Sequence, residues 1–266
     1  MKTLVTGGTG FLGAHLVSGL ARVSRGAARD VRVLVQSAPP SWLRELGVEI
    51  VPGSVTKPED VARAVDGVAR VYHLAGMVSH RPSDGHRMYA VHVDGTRHLC
   101  EAAVRAGCKR IVMASTSGTI AASKRADDMP DEDAAAPLDV IARWPYYASK
   151  AYQEEAARRA CGDKVALVTV SPSLLLGPGD DRLSSTRPIL QFLAREILMT
   201  PPGGLNFVDA RDVAALFPVA MARGTAGERY LVGAVNWTFA EFFGRLERLT
   251  KIAAPKTPSN PTPSAH

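Results

Sequence analysis

The segment Thr6-Gly-Gly-Thr-Gly-Phe-Leu-Gly13 stands between a short β-branched run and an amphipathic stretch. Leu4–Thr6 reads as a strand, and Leu12, Leu16 and Leu20 recur every four residues, as on one face of a helix. The segment satisfies GxGxxG with Gly8, Gly10 and Gly13, and the wider GxxGxxG with Gly7, Gly10 and Gly13. Glycine at such positions allows a tight turn, close approach of the backbone to a pyrophosphate, and close packing of helix on strand. The free N–H groups and dipole of the following helix favour phosphate. A strand, this loop and a helix so early in the chain predict a dinucleotide site and strongly limit the folds available.

The first half continues the alternation. Strands are predicted at Val31–Val35, Val48–Val51, Arg70–Leu74, Ile111–Ala114 and Val165–Val170, with helices between them. Pro58 suits the first turn of one helix, and residues 86–106 read as a long helix capped at Gly107. Strands separated by helices imply right-handed parallel crossovers. The expected class is α/β, a doubly wound parallel sheet of Rossmann type with a small C-terminal substrate-binding region. Residues 1–170 form mainly the dinucleotide-binding part, 171–250 a substrate region with returning Rossmann elements, and 251–266 a Pro-rich tail. Residues 118–145 read as a polar loop whose acids, Asp127 to Asp133, are solvated.

Composition narrows the partners. The 266 residues are 46% apolar, enough for a sizeable core, and carry a formal charge of +6. The basic residues are dispersed without interleaved aromatics, which argues against nucleic-acid binding. Three cysteines make no disulfide framework, and the sequence offers no metal-ligand spacing. The N-terminus lacks a signal-peptide apolar run, and no stretch approaches the roughly 20 apolar residues of a membrane span. These features predict a cytoplasmic protein acting on a small molecule.

Tyr146-Tyr-Ala-Ser-Lys150 opens a further helix, where residues four apart share a face. A free phenol titrates near 10 and is a poor acid–base catalyst at neutral pH. A neighbouring ammonium stabilises phenolate, and lowering the phenol pKa by about 3 units takes roughly 4 kcal/mol. Upstream, Ala114-Ser-Thr-Ser-Gly118 ends the fifth strand, where Ser115, Thr116 and Ser117 all qualify to steady a substrate oxygen. At the end of the second strand, Gln36 and Ser37 stand where an acid would select NAD; with no acid there to repel a 2′-phosphate, and Arg44 close in sequence, NADP(H) is favoured over NAD(H).

Together these motifs resemble the extended short-chain dehydrogenase/reductase superfamily, of the NAD-dependent epimerase/dehydratase type. The resemblance rests on TGGTGFLG at 6–13, HLAG at 73–76, ASTSG at 114–118, YYASK at 146–150, SPSLLLGPGD at 171–180 and GGLNFVDARDVA at 203–214. Within the superfamily the sequence looks most like the dihydroflavonol-reductase-like and 3β-hydroxysteroid-dehydrogenase-like members. The resemblance implies a catalytic Ser117, an acid/base Tyr146, and a Lys150 that binds the nicotinamide ribose and tunes the tyrosine. It assigns Gly7, Gly10, Phe11, Leu12 and Gly13 to the pyrophosphate loop, Gln36 to the ribose, and Ser54 and Val55 to the adenine side. Leu74, Ala75 and Gly76 line the cofactor, and Pro172 and Ser173 flank the nicotinamide, while His73 is structural.

Three positions depart from the family pattern. Gln36 replaces a frequent Arg, Gly53-Ser54-Val55 lacks a frequent Asp, and His92 replaces the Asn that helps orient the lysine. His92 is expected to serve as a donor in that place or to reflect a different helix packing. Relatives usually continue past the helix ending near Lys251, so the pocket is more open, residues 252–266 cover it irregularly, or the end is truncated or frame-shifted. The implied reaction is hydride transfer between nicotinamide and a ketone or secondary alcohol, on an apolar or cyclic substrate, by a Ser-Tyr-Lys mechanism. The alternatives are a nucleotide-sugar epimerase or dehydratase that retains its nicotinamide, and a nucleotide-sensing regulator without catalysis. A homodimer through helices flanking the sheet is also implied.

Overall fold

Successive strand residues point to opposite faces, so a sheet covered on both sides needs two interleaved apolar sets. The computed structural model describes residues 1–23, 28–79, 81–125 and 128–257. It begins with β1 (Lys2–Thr6), α1 (Phe11–Val23), β2 (Val31–Val35) and α2 (Ser41–Glu45). Then come β3 (Glu49–Pro52), α3 (Pro58–Val65) and β4 (Val68–His73). The stretch expected as one helix over 86–106 is α4 (Gly85–Tyr89), a π turn (Ala90–Asp94) and α5 (Gly95–Arg105). Gly107 caps α5 as predicted: φ is +72°, and Cys108 N–H donates to Ala103 O at 3.0 Å. After these lie β5 (Arg110–Ala114), α6 (Leu138–Ile141), α7 (Pro145–Cys161) and β6 (Ala166–Pro172).

The remaining elements are β7 (Leu174–Leu176), α8 (Arg187–Leu193), β8 (Gly204–Asp209), α9 (Ala210–Arg223), β9 (Arg229–Val232), β10 (Val235–Thr238) and α10 (Phe239–Thr250). Seven strands form one parallel sheet in the order β3-β2-β1-β4-β5-β6-β9. The order reverses between β1 and β4, which opens a crevice at the carboxyl ends of those strands. Leu4, Leu34, Val71, Ile111 and Met113 face one layer, with Val61, Leu99, Ala103 and Ala157. Val5, Val33, Val35, Tyr72 and Val112 face the other, with Leu16, Val17, Val213 and Phe217.

A second sheet, β10-β8-β7, stands beyond the first. Its core is aromatic: Phe207 stacks on Phe242 at 4.8 Å, and Phe192 stacks on Phe243 at 5.8 Å. The start of the Pro-rich tail joins this core. Ile252 and Ala254 pack against it, and Thr200 N–H donates to Lys256 O at 2.9 Å. Pro258, Pro261 and Pro263 lie outside the described residues.

The stretch expected as a polar loop over 118–145 contains α6, and Glu132 and Ala134 are tied to β9. Glu132 is not a solvated acid: its carboxylate accepts from Leu231 N–H at 3.0 Å, and Arg229 donates to Glu132 O at 2.6 Å. The backbone N–H at the strand β9 edge needs an acceptor, and Glu132 supplies it. Asp127 lies outside the described residues.

Candidate active site

The glycine loop closes on itself and on β4. Gly7 has φ +73°, and a Cβ there would lie 2.4 Å from the carbonyl carbon of Leu74. A Cβ on Gly13 would lie 2.1 Å from Gly7 O. Gly10 N–H donates to Gly7 O at 3.0 Å, which forms the turn. The GxxGxxG spacing is therefore the one the backbone uses, while Gly8 is held against the side chains of Val33 and Val17. Bare backbone, a helix N-terminus and an open crevice suit a dinucleotide pyrophosphate.

One cleft of about 2380 Å³ collects the residues predicted for the site. Gly7, Gly10, Phe11, Leu12 and Gly13 line it, as do Gln36, Ser54, Val55, Leu74, Ala75 and Gly76. Ser117, Tyr146, Lys150, Pro172 and Ser173 line it too. Around Gln36 the lining is Ser37, Pro40 and Trp42, without Arg44, so the positive charge expected at the ribose end does not reach the cleft. Arg44 sits instead on α2, at its last turn.

Pro145 opens α7, where its missing N–H costs nothing, and this places Tyr146 and Tyr147 in the first turn. The Tyr147 ring lies on Gly118, where a Cβ would be 2.2 Å from Cε1, and Tyr147 also lines the cleft. The Tyr146 ring meets His92 edge-on at 5.9 Å, and its hydroxyl lies close enough to Thr116 to be influenced by it. Ser117, the hydroxyl that the resemblance implies, lines the cleft beside Thr116, whose extended backbone (φ −152°, ψ 148°) immediately precedes a tight turn over Ser117–Thr119. Ser115 is committed elsewhere: it donates to Glu154, which also accepts from Thr119 at 2.8 Å.

Burial raises the Tyr146 phenol above its ordinary pKa, the Tyr147 hydroxyl adds to this, and the Thr116 hydroxyl opposes it. The Lys150 ammonium donates to Ala114 O at 2.6 Å and to Gln153 Oε1. Burial brings Lys150 down to about 8, against the raising effect of Glu154.

Two buried histidines flank the lysine. His73 is held between Thr6 Oγ1 and Thr96 Oγ1, each at 2.7 Å, and burial followed by the Lys150 charge lowers it to about 3. His92 does not act as a donor to Lys150. Met77 N–H donates to its Nε2 at 3.0 Å, so the ring proton is on Nδ1, which donates to Ser149 Oγ at 2.8 Å. Ser149 in turn donates to Tyr146 O at 2.8 Å. Both His92 nitrogens are therefore engaged, and burial, then Lys150 and His73, lower it to about 2. Gln153, Thr96 and Glu154 did not stand out in the sequence; the available signal was a glutamine on the same turn of helix as Lys150.

At the far end, Leu174 and Leu175 line the cleft with Met77, Val78, Leu205 and Trp237. Leu176, Ile189, Phe192 and Ile197 belong to the aromatic core, and Leu190, Leu193 and Leu198 are exposed. Arg81, Arg87, Arg182 and Arg187 also line it, more charge than residues 180–206 suggested. Asp180 folds the 180–186 turn by accepting from Ser184, Ser185 and Thr186 at 2.7–3.0 Å. Burial raises its pKa, but those bonds outweigh it and hold it at about 2. No group of metal-ligating side chains occurs among the described residues.

Known proteins are similar to this chain in sequence and fold. Sterol demethylase protein B of Methylococcus capsulatus is 34% identical over 258 residues, covering 96% of this chain and 76% of its own length. A protein of Synechocystis sp. provisionally named dihydroflavonol 4-reductase is 33% identical, with 95% and 73% covered. The crystal structure of gox2253 superposes with a TM-score of 0.85 at 29% identity, covering 96% of this chain and 77% of that one. The model of the NAD dependent epimerase/dehydratase family matches residues 3–233, and the chain belongs to that family, the extended short-chain dehydrogenases/reductases.

Proposed function

We propose that this NAD(P)-dependent oxidoreductase interconverts a ketone and a secondary alcohol on an apolar, cyclic substrate. The carrying observation is that Thr116, Ser117, Tyr146 and Lys150 line one cleft with the glycine loop. Bound nicotinamide supplies or accepts the hydride. Tyr146 gives or takes the proton at the substrate oxygen, and the Thr116 hydroxyl donates to that oxygen as charge develops on it. Lys150, four residues on along the same helix, would supply the positive charge that lowers the cost of phenolate in the cofactor-closed site. Ser117 is the second candidate for the oxygen contact. The apolar reading draws on Met77, Val78, Leu174, Leu205 and Trp237 at the far end, and on two relatives named for a sterol and a flavonoid.

Gln36 and Ser37, with no acid beside them, favour NADP(H) over NAD(H). The three buried, unpaired cysteines fit a reducing compartment, and we place the protein in the cytoplasm. Among the described residues no helix is long and apolar enough to cross a membrane. Tyr89, Val93, Tyr152 and Ala156 surround a surface hollow of about 460 Å³ on α4, α5 and α7, a face suited to a homodimer.

A second reading, nucleotide-sugar epimerisation, draws on Arg182 and Arg187, which line the cleft without an ion-pair partner among the described residues and match a diphosphate. Absorbance at the reduced-nicotinamide band separates the two. Steady oxidation of NADPH by cyclic ketones supports the proposal. Conversion of a nucleotide sugar without net change in NADPH contradicts it.

A further inference from the structure

We propose that Gln153 is a positioning residue for Lys150: its buried amide orients the ammonium and couples it to the end of β1 that carries the glycine loop. The inference rests on Lys150 being part of the reaction site, but it concerns the hydrogen bonds of Lys150 itself. An ammonium has three donors and no acceptor. One N–H goes to Ala114 O at 2.6 Å and a second to Gln153 Oε1, which leaves the third for the cleft.

That first assignment orders the rest. Because Lys150 can only donate, Oε1 of Gln153 faces it and Nε2 donates to Thr96 Oγ1 at 2.9 Å. Thr96, having accepted, donates to His73 Nε2 at 2.7 Å, and His73 Nδ1–H donates to Thr6 Oγ1 at 2.7 Å. Thr6 immediately precedes Gly7 and also accepts from Ala75 N–H at 3.3 Å. Gln153, Thr96, His73 and Thr6 are fully buried, so water does not compete for these bonds. The asparagine that the family resemblance implies for orienting the lysine is His92 here, and both its nitrogens are engaged by Met77 and Ser149. Gln153 supplies the acceptor that this position cannot.

The charged and titratable groups acting on the ammonium are Glu154 of the same helix, His73 of β4 and His92 of the π turn. Both imidazoles are neutral, so the amide is a principal stabiliser of the charged form from its own side. Replacement by leucine should favour neutral lysine, and replacement by glutamate should favour the ammonium. The glutamate is accommodated because every other member can reverse. Thr6 then donates to His73 Nδ1, His73 Nε2–H to Thr96, and Thr96 to the carboxylate.

The test is a pH titration of lysine labelled with ¹³C at Cε, in the full chain and in Gln153→Leu and Gln153→Glu. Lys150 is assigned by its absence in Lys150→Met, and NADPH affinity is followed in parallel. The expected result is opposite movement, by about one pH unit down in Gln153→Leu and at least as much up in Gln153→Glu. The alkaline edge of NADPH binding should move with each. An unchanged Lys150 titration in either folded variant, or movement in the same direction in both, overturns the proposal. If Gln153→Leu fails to fold, Gln153→Glu alone decides. Retained turnover in Tyr146→Phe would remove the functional reading while leaving this titration to decide the role of Gln153.

Discussion

The Thr116 hydroxyl, just after β5, faces the Tyr146 phenol at the start of α7 and favours its ionised form. A hydroxyl next to the proton donor is where a substrate oxygen must sit to receive both. Thr116→Val should therefore lower kcat by about 10²–10³-fold, the usual cost of one oxyanion donor. Ser117→Ala should change it less than about threefold. Steady-state kinetics on the two variants checks the assignment, and the reverse ranking would restore Ser117.

Gly13 offers a test of the cofactor cradle that does not depend on turnover. A methyl group there would sit 2.1 Å from Gly7 O, against backbone that no side-chain rotation relieves. Forced overpacking of this kind costs about 1–3 kcal/mol, so Gly13→Ala should weaken NADPH binding by about 10–100-fold in calorimetry. Wild-type affinity would mean the loop is not the phosphate site.

His73 and His92 should make the fold acid-sensitive. Their folded values, about 3 and about 2, lie below the ordinary 6.5, so the unfolded chain binds more protons as pH falls through 6.5. Stability is then complete above that value and decreases below it. Between pH 7 and 5 each histidine accounts for a loss of about 2 kcal/mol. His92→Asn should roughly halve the histidine contribution to the pH slope in denaturant titrations. An unchanged slope would contradict the neutral, two-bonded His92.

At the ribose end, Gln36→Arg should raise the preference for NADPH over NADH by about tenfold, since the cleft there holds neither acid nor cation. The ratio of dissociation constants measures it. No gain would place the 2′-position away from Gln36.

The Rossmann half was legible because its strands are β-branched runs and its punctuation is glycine and proline. Gly7, Gly13, Pro58 and Gly107 occupy the places their chemistry predicts. The second sheet was less visible. Leu174–Leu176 is too short to show a period, and Gly204–Asp209 carries Gly and Asn, which are poor strand formers. The π turn over Ala90–Asp94 adds one residue that a 3.6 period does not reveal. Three adjacent hydroxyls at Ser115, Thr116 and Ser117 are chemically equivalent on paper, and only the backbone bend separates them. Beyond sharing a helix turn with Lys150, Gln153 carries no local signal, because its other partner, Thr96, comes from another helix.

Whether Tyr146 moves the proton that accompanies hydride transfer is tested most directly by single-turnover oxidation of NADPH by Tyr146→Phe, with NADPH affinity measured on the same sample. A loss of at least about 10²-fold in the transfer rate is expected, with NADPH affinity within about threefold of wild type. Undiminished transfer in a variant that still binds NADPH would contradict that role.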